Sequence, residues 1–139
     1  MPPPKRADGR DIRGVSRKEA LSYASQAEEY LRSAEQALDR GDHNSAAGNA
    51  VLAGINAADA VSGVILGNRW AGAHTQAPIH AGKAGHEGLE VARELRRLVP
   101  AKTQAQYEPD PISKVKAEQL VAAARRAVGV ARRVVATIP

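Results

Sequence analysis

The sequence predicts an all-α fold, an antiparallel up-and-down four-helix bundle preceded by a flexible basic N-terminal arm. Three observations point there. Much of the glycine and proline gathers at the start, in the middle and near positions 100–111, leaving long alanine-rich windows between. Within those windows apolar residues recur at three- and four-residue steps, the spacing of one helix face. No run alternates with period two between hairpin turns, as a half-buried strand would. A chain of 139 residues is enough for one core, so residues 15–139 are read as a single domain.

Residues 1–14 combine three prolines with Lys5, Arg6, Arg10 and Arg13, too little apolar surface to offset ordering entropy. They are expected to form a disordered basic arm, either a solubilising tail or a segment that touches a polyanion such as RNA. Ser16 with Glu19 has the spacing of a reciprocal cap, so a helix starts there. Leu21, Ala24, Ala27, Leu31, Ala34 and Leu38 form its apolar stripe, and Gly41 stops it. Ser45 to Leu66 reads as a second helix, apolar on most sides. Its Gly48, Gly54 and Gly63 each cost about 1 kcal/mol relative to alanine, which close approach by neighbouring backbone should offset.

An irregular loop is expected from position 68 to 85, broken by Pro78. A third helix then runs from His86 or Glu87 to Val99, with Leu89, Val91, Ala92, Leu95, Leu98 and Val99 inside and Arg93, Glu94, Arg96 and Arg97 outside. Pro100 is expected to end it, and a connection follows from Lys102 to Pro111. The fourth helix spans Ser113 to Thr137, its inner face supplied by Val115, Leu120, Ala123, Ala124, Ala127, Val130, Ala131 and Val134.

Composition narrows the chemistry. No cysteine is present, which excludes disulfides, thiolate nucleophiles and cysteine-ligated zinc, and places the chain by expectation in the cytoplasm. The segment Met1-Pro2-Pro3-Pro4-Lys5-Arg6 is not followed by an apolar run, and no stretch of roughly eighteen uninterrupted apolar residues occurs, so no membrane partner is expected. The net charge of +5 and pI near 9.9 favour polyanions. Aromatic residues make up only 3%, so contact with a nucleic acid should run through phosphates rather than stacked bases.

Arg69 and His74 follow the glycine that ends the second helix. Arginine pairs with phosphate as a fork and stays charged, whereas histidine moves a proton near neutrality. Asn56 and Asp59 share one face of the second helix amid small apolar residues. A buried carboxylate needs a partner, which Arg69, His74, Lys102 or a helix terminus could supply. The group serves either as a polar network fixing helix register or as a means of orienting catalytic groups.

His74, His80 and His86 are evenly spaced, but Pro78 and the glycines prevent a regular helix from aligning them, and only Glu87 adds an acidic ligand. Exposed loop histidines, with no metal and no other cofactor, are the reading taken. Arg96/Arg97, Arg125/Arg126 and Arg132/Arg133 form either the solvated face of amphipathic helices or a phosphate-binding stripe. No phosphate loop with its lysine, serine nucleophile elbow or di-iron carboxylate set is present.

These residues resemble the HEPN domains, small four-helix proteins of which many are metal-independent RNases. The likeness rests on Gly54-Ile55-Asn56-Ala57-Ala58-Asp59-Ala60, on Leu66-Gly67 before Arg69, on Gly72 before His74, and on Lys102 through Tyr107; it spans most of residues 16–137. The family's signature is an arginine followed after four to six residues by a histidine, which Arg69 and His74 match, with Trp70 directly after the arginine and Asn68 before it. The resemblance implies cleavage of RNA by attack of the ribose 2′-hydroxyl on the adjacent phosphate. His74 would shuttle protons and Arg69 would stabilise phosphoryl charge. Asn56, Asp59 and Asn68 would support them, and Lys102 and Tyr107 would contact RNA. It further implies a homodimer with two facing motifs and a role as the toxin of a toxin–antitoxin pair or a defence protein, with an antitoxin partner. Two alternatives stand beside this: an inactive module of the same build that binds nucleotide, RNA or a protein, and a plain helical scaffold.

Overall fold

A computed structural model describes residues 11–139, which are mostly helical. Two short strands, β1 (Ile12–Gly14) and β2 (Asn68–Trp70), pair antiparallel, with Ile12 opposite Trp70 and Arg13 opposite Arg69. The helices are α1 (Arg17–Arg40), α2 (His43–Leu66), α3 (Ala77–Ala81), α4 (Gly85–Tyr107) and α5 (Lys114–Val135), and a 3-10 turn at His74–Gln76 leads into α3.

The strand pair corrects two expectations. A sheet exists, and residues 11–14 of the expected arm are part of the folded domain, whereas residues 1–10 lie outside the described residues. The Asp11 carbonyl accepts from the Ala71 N–H at 2.7 Å, and the Val15 N–H donates to the Gly67 carbonyl at 2.9 Å. Three residues per strand are too few for period-two patterning to register. What holds them is the burial of Trp70 and Val15 on either side of the pairing.

At the start of α1 the Glu19 N–H donates to Ser16 Oγ at 3.1 Å, and the Ser16 N–H donates to Glu19 Oε1 at 2.9 Å. Both bonds satisfy amides that the first helical turn leaves open. Gly41, at φ +81°, adopts the left-handed conformation that ends α1. The buried stripe is Ala20, Ala24, Ala27, Leu31, Ala34 and Ala37; Leu21 is 46% exposed and Leu38 only partly buried. Small side chains at the helix contact admit close approach, so the alanines, and not every leucine, face inward.

α2 packs against α1, α4 and α5, which accounts for its apolarity on most sides. It is the one described helix long and apolar enough to cross a membrane, and 56% of that apolar window is buried inside the fold. A Cβ on Gly54 would stand 2.5 Å from Leu98 Cδ1, and one on Gly63 would stand 2.6 Å from Val15 Cγ1. Close approach therefore holds at those two glycines. Gly48 faces open space, contrary to expectation.

α4 continues through Pro100 to Tyr107. The proline removes one helical hydrogen bond, but Val99 and Ala101 are buried on either side of it. Beyond it Asn44 clasps the helix end: its Nδ2 donates to the Ala105 carbonyl at 3.1 Å and its Oδ1 accepts from the Ile112 N–H at 2.9 Å. The expected connection beginning at Lys102 is thus helical up to Tyr107. On the expected inner faces, Leu89 and Val115 are exposed, while Glu94, expected outside, is buried.

Candidate functional site

β2 sorts the candidate residues by strand alternation, which sends Asn68 and Trp70 to one face and Arg69 to the other. On the first face, Trp70 is buried and its Nε1 donates to the Ala73 carbonyl at 2.7 Å, which fixes the turn before His74. The absence of a side chain on Gly72 makes this possible: a Cβ there would lie 2.6 Å from Trp70 Cζ2. His80, only 3% exposed, lies with its ring centroid 6.0 Å from that of Trp70. Its Nε2 pairs with Asn68 Oδ1 at 2.8 Å, which assigns the ring proton to Nε2. Nδ1 is then a buried lone pair without a hydrogen-bond partner among the described residues. Burial and, secondarily, Lys83 pull the His80 pKa below 6.5.

His74 and Asp59 line one small pocket with Ile55, Ser62, Trp70 and His80, about 10 Å³ in volume. That holds about one water molecule. Burial lifts the Asp59 carboxyl from its ordinary 3.8 to about 7, against the opposing pull of the Arg69 guanidinium. Among the described residues the Asp59 carboxyl makes no hydrogen bond or ion pair, so of the partners anticipated only Arg69 acts on it, through charge alone. Half-buried His74 is shifted the other way: burial first, then Lys102, hold its pKa below 6.5. Lys102 Nζ stands 3.3 Å from His74 Nδ1. An ammonium can only donate, so Nδ1 accepts and the proton of the neutral ring sits on Nε2.

Arg69, on the opposite face of β2, lies over the Tyr23 ring with its guanidinium carbon 5.6 Å from the centroid. Its side chain makes no hydrogen bond or ion pair among the described residues, and its charge reaches Asp59 and Glu19. The sites of Arg69 and His74 therefore meet at Asp59 rather than through a shared contact.

Of the remaining candidates, Asn56 turns back on its own helix, its Nδ2 donating to the Leu52 carbonyl at 2.9 Å. Asn68 supports His80. Tyr107, 75% exposed at the end of α4, contacts none of the group. Sequence reasoning took His80 for an exposed loop histidine, whereas it is buried in α3, and it missed Ser62 and the partnership of Lys102 with His74. The last was hidden by the assumption that Pro100 ends the helix; a continuous α4 carries Lys102 alongside the turn that holds His74. No protein-family model, curated protein or solved structure matches this chain.

Proposed function

We propose that the chain is a HEPN-like, metal-independent endoribonuclease in which His74 and Asp59 handle protons. One observation carries the reading: a neutral imidazole and a carboxyl that titrates at about 7 line the same pocket. A base needs to be deprotonated and an acid protonated at the working pH, and these opposed shifts put both groups in those forms just below neutrality.

The pocket has no room for a ribose, so the phosphodiester lies at its mouth. There its oxygens draw the Lys102 ammonium away from His74 and release the Nδ1 lone pair. Nδ1 takes the proton of the ribose 2′-hydroxyl as that oxygen attacks phosphorus. The bond from phosphorus to the 5′-oxygen breaks, and that oxygen takes the proton of Asp59. The products are a 2′,3′-cyclic phosphate and a 5′-hydroxyl end. Arg69, held over Tyr23 without a hydrogen-bonded partner, supplies charge to the phosphoryl oxygens. The four long helices are read as an antiparallel up-and-down bundle, and a homodimer would set two such mouths against one RNA. A toxin role with an antitoxin partner belongs to the same reading.

The test is incubation of full-length protein with end-labelled RNA in EDTA, beside His74→Ala. Cleavage to cyclic phosphate ends that is lost in the variant supports the reading; equal cleavage by both proteins refutes it. A second reading, an inactive module of the same build that binds nucleotide, RNA or a protein, is favoured by the direction of Arg69, which faces Tyr23 on α1 while His74 is engaged by Lys102 on α4. Binding without cleavage would select it.

A further inference from the structure

The arginines of α5 divide into two sets. Arg125 Nε donates to Glu35 Oε2 at 2.8 Å, and Arg132 pairs with Glu28, both on α1. Arg126 and Arg133 turn the other way, to α4: Arg126 Nη2 lies 3.1 Å from Glu94 Oε1, and Arg133 Nη2 lies 3.0 Å from Glu90 Oε2. Between α4 and α5 runs a cleft formed by two hollows of about 420 and 300 Å³, with Arg126 lining both.

Five cations line this cleft, Arg93, Arg97, Lys116, Arg126 and Arg133, all exposed. Only Glu90 and Glu94 oppose them, and these two carboxylates are taken up by Arg133 and Arg126. The side chains of Arg93, Arg97 and Lys116 make no ion pair or hydrogen bond among the described residues. Arg93 and Arg97 stand one turn apart, about 6 Å along the axis. The cleft shares no residue with the His74 pocket. Lys102 is five residues beyond Arg97, about 140° around the helix at 100° per residue.

We propose that the α4/α5 cleft binds the backbone of RNA through its phosphates, without regard to sequence. The walls carry no aromatic side chain on which a base could stack, so the charges must do the binding. The same lack of aromatic anchors disfavours a protein partner, whose interfaces concentrate energy in such residues. Arg93, Arg97 and Lys116 are the phosphate ligands; Arg126 and Arg133 hold the walls together through their carboxylates. The inference does not depend on whether the chain cleaves RNA.

The test is fluorescence anisotropy of labelled oligouridylate and oligoadenylate in EDTA, titrated with full-length protein at several salt concentrations. The comparison variants are Arg93→Gln/Arg97→Gln/Lys116→Gln and, separately, Arg125→Gln/Arg132→Gln, on the α1 side of α5 and outside the cleft. Each phosphate contact on a single strand contributes about −0.7 to the slope of log K against log salt, so loss of three should flatten it by about 2. The triple variant is expected to bind both oligomers at least tenfold more weakly at 0.1 M salt, with circular dichroism unchanged, while Arg125→Gln/Arg132→Gln keeps its slope. Restoring charge with Arg93→Lys/Arg97→Lys should restore binding. An unchanged slope in the triple variant overturns the proposal, as does equal or tighter binding of poly-glutamate. Cleavage is scored separately by product ends, so an inactive protein that still binds through the cleft leaves this inference standing.

Discussion

Lys102 Nζ lies 3.3 Å from His74 Nδ1, where it sets the ring proton on Nε2 and adds to the burial that holds the imidazole neutral. Removing the cation takes away both the charge and the donor. Lys102→Met is therefore expected to raise the His74 pKa toward 6.5, followed through the ring Cε1 proton in an NMR titration. A downward or absent shift would mean that the pair does not govern the ring.

The opposed shifts of Asp59 and the two histidines give stability a characteristic dependence on pH. The folded pKa of Asp59 is raised, so its contribution is fully present below about 3.8 and is lost as pH rises through about 7. His74 and His80 are depressed, so theirs is present above 6.5 and is lost as pH falls through their folded values. Asp59→Asn removes the first effect alone. It should stabilise the protein at pH 8 by roughly 1–2 kcal/mol, within the about 4 kcal/mol that a three-unit shift represents, and leave stability rising with pH between 5 and 7. Urea unfolding at pH 5 and 8 measures both; a variant less stable than wild type at pH 8 would contradict this account.

Pro100 sits inside α4 and costs it a hydrogen bond. Pro100→Ala restores the donor and should stabilise the protein by roughly 1–3 kcal/mol. A rise in Tm is the expected outcome, whereas a helix that truly stopped at Val99 would gain nothing.

Two glycines with the same intrinsic helix penalty should respond in opposite directions. A Cβ on Gly88 would collide with the Ala81 carbonyl oxygen and the Ala84 methyl, whereas one on Gly48 meets open space. Gly88→Ala is expected to cost roughly 2–3 kcal/mol by overpacking, and Gly48→Ala to add about 0.5–1 kcal/mol. Thermal unfolding of the two variants separates them by sign.

The long helices α1, α2, α4 and α5 were legible because their signals are local, whereas β2, the 3-10 turn and α3 lie in the segment 68–85 that was expected to be an irregular loop. The Ser16/Glu19 cap, the Gly41 stop, the Ser113 cap, whose Oγ accepts from the Lys116 N–H, and the three-four spacing of alanines all act within a few residues. Features that depend on distant partners were not. The pairing of Ile12 with Trp70 spans most of two helices, and the passage of α4 through Pro100 is supported by Asn44 from the start of α2. Asp59 and His74 were singled out from residue type and from the resemblance stated for the sequence. Their shared pocket depends on Trp70, placed by strand alternation in a segment too short to show it, and on His80, carried by the short helix α3.

The pH dependence of RNA cleavage in EDTA tests the central claim most directly. Wild type should give a bell, rising as His74 loses its proton below pH 6.5 and falling as Asp59 ionises at about 7, and Asp59→Asn, which has no acid proton to give, should cleave more slowly throughout and without the alkaline descent. A profile that Asp59→Asn leaves unaltered, or cleavage that survives His74→Ala, would contradict the account.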